Sequence, residues 1–486
     1  MDEQKEINIK ACDPKLYNED LAPIAKQKRN WGSFEIFNVW ANDVQSLFGY
    51  TLAASLFISY GLNGWSVLAA IMAASIIIMV LCNLAGKPSI KYGIPSPVFA
   101  RASMGVYGAN IPSMTRAIVS MFWFAAQTYF ASTAVTLLIN TIFEPTIYFT
   151  FLSLTSVEWI SYLLVWSFQL VMFMRGIDGI TKFLNWAGPF VYLVMIVLMI
   201  AIWYQAGDKM LPAVSNIFAG NSEYEGSSIS AFFAIMGTMI AYFAAVVINF
   251  GDFTRNVKTE AELKKGNWYG LPGNVLIFSI IALFVTAGTA VVFGENLTNP
   301  ADIIERVNNP ILTIVAAICF FAATVGINLV ANFIPSAYGL ANLMPEKINF
   351  KQGGILTSII SFFIGALWVS VISQIGIAGF VNSLGAMLAP IYGIMMADYY
   401  LLKKEELDVQ DLFSSSPDSR YYYNNGWNRI AIFSALISAI FAVATIWVPA
   451  LTIFNGFGWI IGAILGAGLY YTLMKANRSH VLSTNN

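Results

Sequence analysis

Twelve apolar runs divide the chain. Each is long enough to cross a hydrocarbon layer about 30 Å thick as a helix. They lie near 34–60, 65–85, 113–142, 157–174, 183–204, 228–250, 269–293, 308–335, 354–374, 378–402, 429–448 and 453–474. Backbone groups surrounded by lipid must find their partners within the protein, and a continuous helix does this segment by segment. The composition leaves little alternative: of 486 residues 57% are hydrophobic and 11% charged, against about 25% charged in a soluble domain. The expected fold class is an all-α polytopic membrane protein of about twelve transmembrane helices.

The cationic residues set an orientation. Of 26 Lys and Arg, all but Lys209 and Arg306 fall on one side of this threading, which the positive-inside rule makes cytoplasmic together with both termini. A plasma-membrane location follows as the expectation. Residues 1–33 are polar and carry no apolar signal core. With a net charge of −1 and no basic patch, a nucleic-acid partner is not expected. Cys12, Cys82 and Cys319 have neither metal spacing nor a disulfide pattern, and the single histidine, His480, lies in the tail. No metal or cofactor is expected. No nucleophile–base pair or phosphate loop is evident, so an enzyme is not expected either.

Polar residues inside a membrane are costly, so their placement is informative. The third run contains S-M-F-W-F-A-A-Q-T-Y-F-A, where Trp123 and Gln127 stand four residues apart on one helical face. An indole beside a primary amide suits a planar heterocycle rimmed with N–H and C=O groups. The spacing alone fits equally a Trp packed on lipid and a Gln bonded to a neighbouring helix. The first run carries Asn38, Asn42, Gln45 and Gly49 as a stripe, and the eighth carries Asn328 and Asn332 four apart. The sixth holds Gly237 and ends I-N-F-G-D-F-T-R at 248–255. Any one of these polar residues would serve as interhelical glue. Together, at positions one, three, six and eight, they suit two five-span repeats with a site between them. The expected divisions are 1–33 as an N-terminal segment, 34–204 and 228–402 as the two repeats, 429–474 as two further spans and 475–486 as a tail. At the cytoplasmic ends, Asp252 with Arg255, and Asp398 with Lys403 and Lys404, are expected to pair. The Asn296 sequon is a chance match.

Several motifs in order resemble the nucleobase–cation-symport-1 family, which includes hydantoin, allantoin, uracil and cytosine permeases. They are K-Y-G-I-P-S-P-V-F-A-R-A-S-M-G-V-Y-G-A-N-I-P (91–112), F-W-F-A-A-Q-T, N-F-G-D-F-T-R (249–255) and N-W-Y-G-L-P-G (267–273). A-N-F-I-P-S-A-Y-G-L-A-N-L-M-P (331–345), L-A-P-I-Y-G-I-M-M-A-D-Y-Y-L (388–401) and Y-Y-Y-N-N-G-W-N (421–428) complete the series. The resemblance runs from about residue 20 to about 473. It implies a leucine-transporter-like fold of five-plus-five inverted repeats with two extra C-terminal helices. It also implies a secondary active transporter, here a monomer, that imports a planar nitrogen heterocycle by alternating access.

The resemblance carries over particular residues. The family's third-helix Trp and Gln match Trp123 and Gln127, and its eighth-helix Asn matches Asn332. Its sixth-helix Trp, which covers the other face of the substrate, falls on Phe243. The first-helix amide falls on Ser46 by count, with Gln45 or Asn42 as the amides at hand. The hydroxyls of the family's sodium site fall on Gly326 and Ile327, neither of which has a side-chain oxygen, while a hard cation needs oxygen ligands. The sodium site is therefore expected to be degraded. Asp43 becomes the candidate ion-coupling residue: with no Lys or Arg deep in the membrane to pair with it, a carboxyl there is cheaper to keep protonated. Coupling to protons, or independence from sodium, is the expectation. The alternatives are an amino-acid permease of the same fold, which the glycine-poor breaks disfavour, and a channel or receptor, which a single pocket-like constellation disfavours.

Overall fold

The computed structural model describes residues 13–59, 61–220, 227–454 and 456–484, with side chains as far as Asn477. Cys12 and the His480 side chain lie outside that set. Among the described residues the chain is mostly helical, and its sheet is a small hairpin of two-residue strands in which Thr150 faces Thr155.

The first apolar run is broken in two, α1 (Ser33–Val44) and α2 (Leu47–Ser59). The break at Gln45 and Ser46 leaves the first N–H groups of α2 without helical acceptors. Two hydroxyls take them: Thr324 Oγ1 accepts from Leu47 N at 3.0 Å, and Ser46 Oγ from Gly49 N at 3.0 Å. Gly49 is required there, because a Cβ would lie 2.8 Å from the Asp43 carbonyl oxygen.

Then follow α3 (Gly64–Tyr92), the short α4 (Ser96–Met104), α5 (Asn110–Phe143), α6 (Ser156–Met174), α7 (Gly176–Ala206) and α8 (Met210–Ala219). The sixth run is α9 (Ser228–Ile248) followed by α10 (Phe250–Thr254), with a bend at Asn249. Gly237 is not the break point. It sits within α9 where a Cβ would collide with the Gly456 carbonyl, so its role is close backbone approach.

The seventh run starts at α11 (Glu260–Trp268), earlier than expected, and continues through a π-helical turn at Tyr269–Gly273 into α12 (Asn274–Phe293). After α13 (Pro300–Val307), the eighth run reads α14 (Pro310–Ile327), a π-helical turn (Asn328–Phe333) and α15 (Ile334–Leu343). Next come α16 (Phe350–Ala366) and α17 (Ile377–Met396), the latter prolonged by a third π-helical turn at Ala397–Leu402. Runs nine and ten are thus separated by 367–376. The chain ends with α18 (Arg429–Trp447) and α19 (Gly458–Thr484).

Among the described residues ten helical rods are long and apolar enough to cross a membrane, and α2 and α16 are shorter apolar helices. This is consistent with twelve spans once α1 and α2 count as one.

Two groups of four spans form the centre. One is α5, α6, α14–α15 and α16; the other is α1–α2, α3, α9–α10 and α11–α12. Helix α7 bridges them, packing on α1, α12 and α14, while α17 lies on α9 and is covered by α18 and α19.

One end of the molecule gathers the N-terminal segment and the loops after even-numbered runs. Ile24 N donates to Gly93 O (2.9 Å), Asp13 N to Phe413 O (3.0 Å) and Phe350 N to Asp20 Oδ2 (2.9 Å), while Trp31 bridges to Val257. The Arg306–Glu295 pair belongs to the opposite end. Of the two expected ion pairs at the first end, Asp398–Lys403 forms (2.5 Å), with the Tyr470 hydroxyl also donating to Asp398. Asp252 and Arg255 do not pair. Asp252 accepts from Ser96 N and Asn249 Nδ2, whereas Arg255 donates to the Asp20 and Ala22 carbonyls and lies over the Tyr338 ring. Each group thus finds a partner from a distant segment in place of its helical neighbour.

Candidate functional site

The two four-helix groups meet around Trp123. Its indole is buried, and three rings approach it edge to face: Phe48 of α2 at 5.0 Å, Tyr242 of α9 at 5.6 Å and Phe380 of α17 at 5.2 Å. Trp123 Nε1 and Gln127 Oε1, one helical turn further along α5, are both buried without a hydrogen-bond partner. A buried amide oxygen left unpaired costs free energy, about 1–3 kcal/mol by mutational measure. A donor and an acceptor left unpaired on one face of α5 are what a polar, flat ligand would satisfy.

Asn332 reaches the same region from the eighth run, by way of the π-helical turn. Pro335 has no N–H to offer the carbonyl four residues back, so Ala331 O is released from the helix. The Arg116 guanidinium takes it, at 2.6 Å, while also bonding to Ser120 Oγ. Arg116 is fully buried on α5, an arginine inside the third apolar run where the sequence reading expected none. It does not reach Asp43. Asn332 itself donates from Nδ2 to Asn328 Oδ1 at 2.9 Å.

The residues of the first run are distributed around its break. Asn42 donates to the carbonyls of Asn38 (2.7 Å) and Leu184 (3.2 Å), and its Oδ1 would touch a Cβ on Gly326 at 2.7 Å. Asn42 therefore fills the space between α1, α7 and α14. Ile327 is buried at the end of α14. The Gln45 amide is buried with both polar atoms unpaired, beside the Tyr192 hydroxyl of α7. Neither amide is brought against Trp123. Asp43 turns the other way and accepts from the Tyr242 hydroxyl at 2.8 Å through Oδ1. Ser46 Oγ lies 3.5 Å from the same hydroxyl.

Phe243 is buried edge-on to Trp40 at 5.8 Å and to Tyr242 at 4.8 Å. The sixth-run ring that meets Trp123 is Tyr242, a residue the motif comparison passed over. Its signal in the sequence is a hydroxyl-bearing aromatic in an otherwise apolar helix, nearly 200 positions from its carboxylate partner.

Among the described residues no group of three or more His, Cys, Asp or Glu is placed to hold a metal. The arrangement is a buried cluster of aromatic rings with an unpaired amide beside it, where the two packed groups of helices meet. The long apolar helices around it make this a polytopic membrane protein.

The similarities to known proteins are specific. The sequence model of the family described as permeases for cytosine/purines, uracil, thiamine and allantoin matches residues 23–466. An allantoin permease of Bacillus subtilis (strain 168) is 33% identical over 469 residues, covering 95% of this chain and 94% of that one. The fold matches Mhp1, a nucleobase-cation-symport-1 family transporter, in a closed conformation with bromovinylhydantoin bound, at a TM-score of 0.77 and 22% identity over 95% of both chains. Its inward-facing conformation gives 0.72 at 23% identity, again over 95% of both chains. The chain belongs to the nucleobase–cation-symport-1 permease family and has its leucine-transporter-like fold. It is a permease and not an enzyme.

Proposed function

We propose that this permease imports a neutral, planar nitrogen heterocycle of the allantoin, hydantoin or nucleobase type by alternating access. The observation that carries this is the pair of orphaned polar atoms, Trp123 Nε1 and Gln127 Oε1, beside a cluster of aromatic rings. The ring stacks on Trp123, Gln127 and Asn332 hold its edge, and Phe243 together with Tyr242 supplies the sixth-helix wall. Gln45 and Asn42, packed away from Trp123 against α7 and α14, shape the helix break behind the site. The names of the relatives support the choice of ligand, an allantoin permease and a transporter with a bound hydantoin.

Transport is independent of sodium or coupled to protons. At Gly326 and Ile327 no side-chain oxygen is present for a hard cation. Beside them Asn42 donates to the carbonyls of Asn38 and Leu184, and its Oδ1, facing Gly326, is the one amide oxygen left there without a partner among the described residues. Asp43, held by Tyr242 beside the ring cluster, is the proton-carrying group. The protein works as a monomer in the plasma membrane with both termini cytoplasmic, in line with the cationic loops gathered at the end of the molecule where the N-terminal segment lies.

Thermal stability of the purified protein against allantoin, hydantoin, uracil and cytosine tests the ligand class. At a hundredfold excess over Kd a bound ligand stabilises by about 2.7 kcal/mol. A melting temperature unmoved by any of the four would sink the proposal.

A further inference from the structure

Behind Asn332 lies a chain of hydrogen bonds that crosses three helices and runs in one direction only. Gln169 of α6 donates from Nε2 to Thr128 Oγ1 of α5 at 3.0 Å and to its own helix at Val165 O at 3.4 Å. Thr128 donates its single hydroxyl proton to Phe124 O at 2.6 Å. Its oxygen is thereby left as an acceptor. The two N–H groups of Asn328 Nδ2 are shared among Gln169 Oε1 (2.6 Å), Phe124 O (3.1 Å) and Thr128 Oγ1 (3.2 Å). Asn328 Oδ1 then accepts from Asn332 Nδ2. Gln169, Thr128 and Asn328 are all fully buried.

The direction is not a matter of how the amides happen to be drawn. Phe124 O and Val165 O are backbone carbonyls and can only accept. Turning Asn328 over would set its oxygen against Phe124 O and Gln169 Oε1. Turning Asn332 over would set two amide oxygens 2.9 Å apart. In a dry interior each such clash costs the bond and adds repulsion. The two fixed carbonyls therefore dictate the orientation of every amide up to Asn332. With one N–H committed to Asn328, Asn332 is held with its oxygen end turned away from the relay, and its second N–H is not engaged by the relay.

We infer that the Gln169–Thr128–Asn328 relay fixes Asn332 as a hydrogen-bond acceptor, so that the site selects rings offering an N–H at that edge. This rests on the proposed role of Asn332 in ligand binding. Lactam and imide rings of the dioxo type, such as uracil, hydantoin and allantoin, have the required N–H. Rings in which that N–H–C=O unit becomes N=C–NH₂ present a bare lone pair at the same position, so in the same pose they meet the Asn332 oxygen with repulsion and must shift to bring the amino group to it. Gln169, Thr128 and Asn328 are positioning residues in this account; they act on the ligand only through Asn332.

The test uses two matched pairs of nearly equal shape, uracil against cytosine and hydantoin against its 2-amino analogue glycocyamidine, with binding to the purified protein measured for each. The expected result is that the dioxo member of whichever pair binds is favoured by roughly tenfold or more, the loss usual for an unpaired buried polar group. In Asn328→Leu the Asn332 amide is free to turn, and the ratio should fall towards one while the better ligand still binds. Gln169→Leu cuts the relay one step further back and should narrow the ratio in the same sense, which covers the case where Asn328→Leu does not fold. Equal binding of both members to the unaltered protein, or an unchanged ratio in a folded relay variant, would overturn the inference while leaving heterocycle binding in place. Failure of all four rings to bind would instead refute the reading of the site itself.

Discussion

The two groups of helices that meet at the ring cluster are built on different principles. In the group of α5, α6, α14–α15 and α16, polar side chains bond across helices: Gln169 to Thr128, Asn328 to three partners, Arg116 to Ala331 O and Ser336 to Ala117 O. In the group of α1–α2, α3, α9–α10 and α11–α12, which has cross-helix bonds of its own such as Trp40–Asn267, the part that meets Trp123 is rings, Phe48 and Tyr242, with Tyr242–Asp43 as the polar contact beside them. Directional bonds in a low-dielectric interior resist any change of geometry. Apolar contacts are non-directional and can slide or repack. The first group thus suits a fixed template for the ligand's edge, and the second suits a wall that moves. The helix break at Gln45 and Ser46 lies in the second group, where a bend can be absorbed.

The largest expected effect comes from removing the fixed platform. Trp123→Ala should bring uptake to background with the protein still in the membrane, since it deletes the stacking surface, itself contributing on the order of 1 kcal/mol beyond area burial. Uptake at the wild-type rate would refute the assignment. Gln127→Ala should weaken binding by roughly tenfold or more by leaving the ligand's edge unpaired; a Kd unchanged by isothermal titration would place Gln127 outside the site.

On the moving wall the effects should be smaller and of a different kind. Tyr242→Phe keeps the ring against Trp123 but removes the bond to Asp43. It should leave substrate exchange largely intact while changing accumulation driven by an imposed pH gradient. Accumulation identical to wild type would separate Asp43 from coupling. Phe243→Trp enlarges a ring already packed edge-on to Trp40, at an overpacking cost of about 1–3 kcal/mol. It should shift the preference among heterocycles with transport retained; an unchanged competition profile would mean that residue 243 does not touch the ligand.

What the sequence makes legible, and what it hides, follows the same division. The spans are visible because apolar length is a local property, and the pairs Trp123–Gln127 and Asn328–Asn332 are visible because four-residue spacing is local too. The break in the first run is foreshadowed by its polar stripe. Hidden are features that depend on partners far along the chain. Tyr242 meets Asp43 across 199 positions, and Arg116 is tolerable in an apolar run only because Pro335, on another helix, frees a carbonyl for it. Gly237 looks like a break point and is instead a contact with the turn at Gly456, which no local pattern announces. Asp252 and Arg255 look like a pair at helical spacing, but the N-terminal segment and Ser96 offer backbone partners to each. The π-helical turn at Asn328–Phe333, by contrast, has a local mark in Pro335 just beyond it.

Counterflow in proteoliposomes tests the account most directly. Vesicles loaded with unlabelled allantoin or hydantoin are diluted into a trace of the labelled compound, with sodium replaced by choline throughout. The account predicts transient accumulation of label above its external concentration, because a carrier that alternates between two faces exchanges ligand without a net driving gradient. Label that only equilibrates, as through a channel, or accumulation that appears only when sodium is restored, would contradict it.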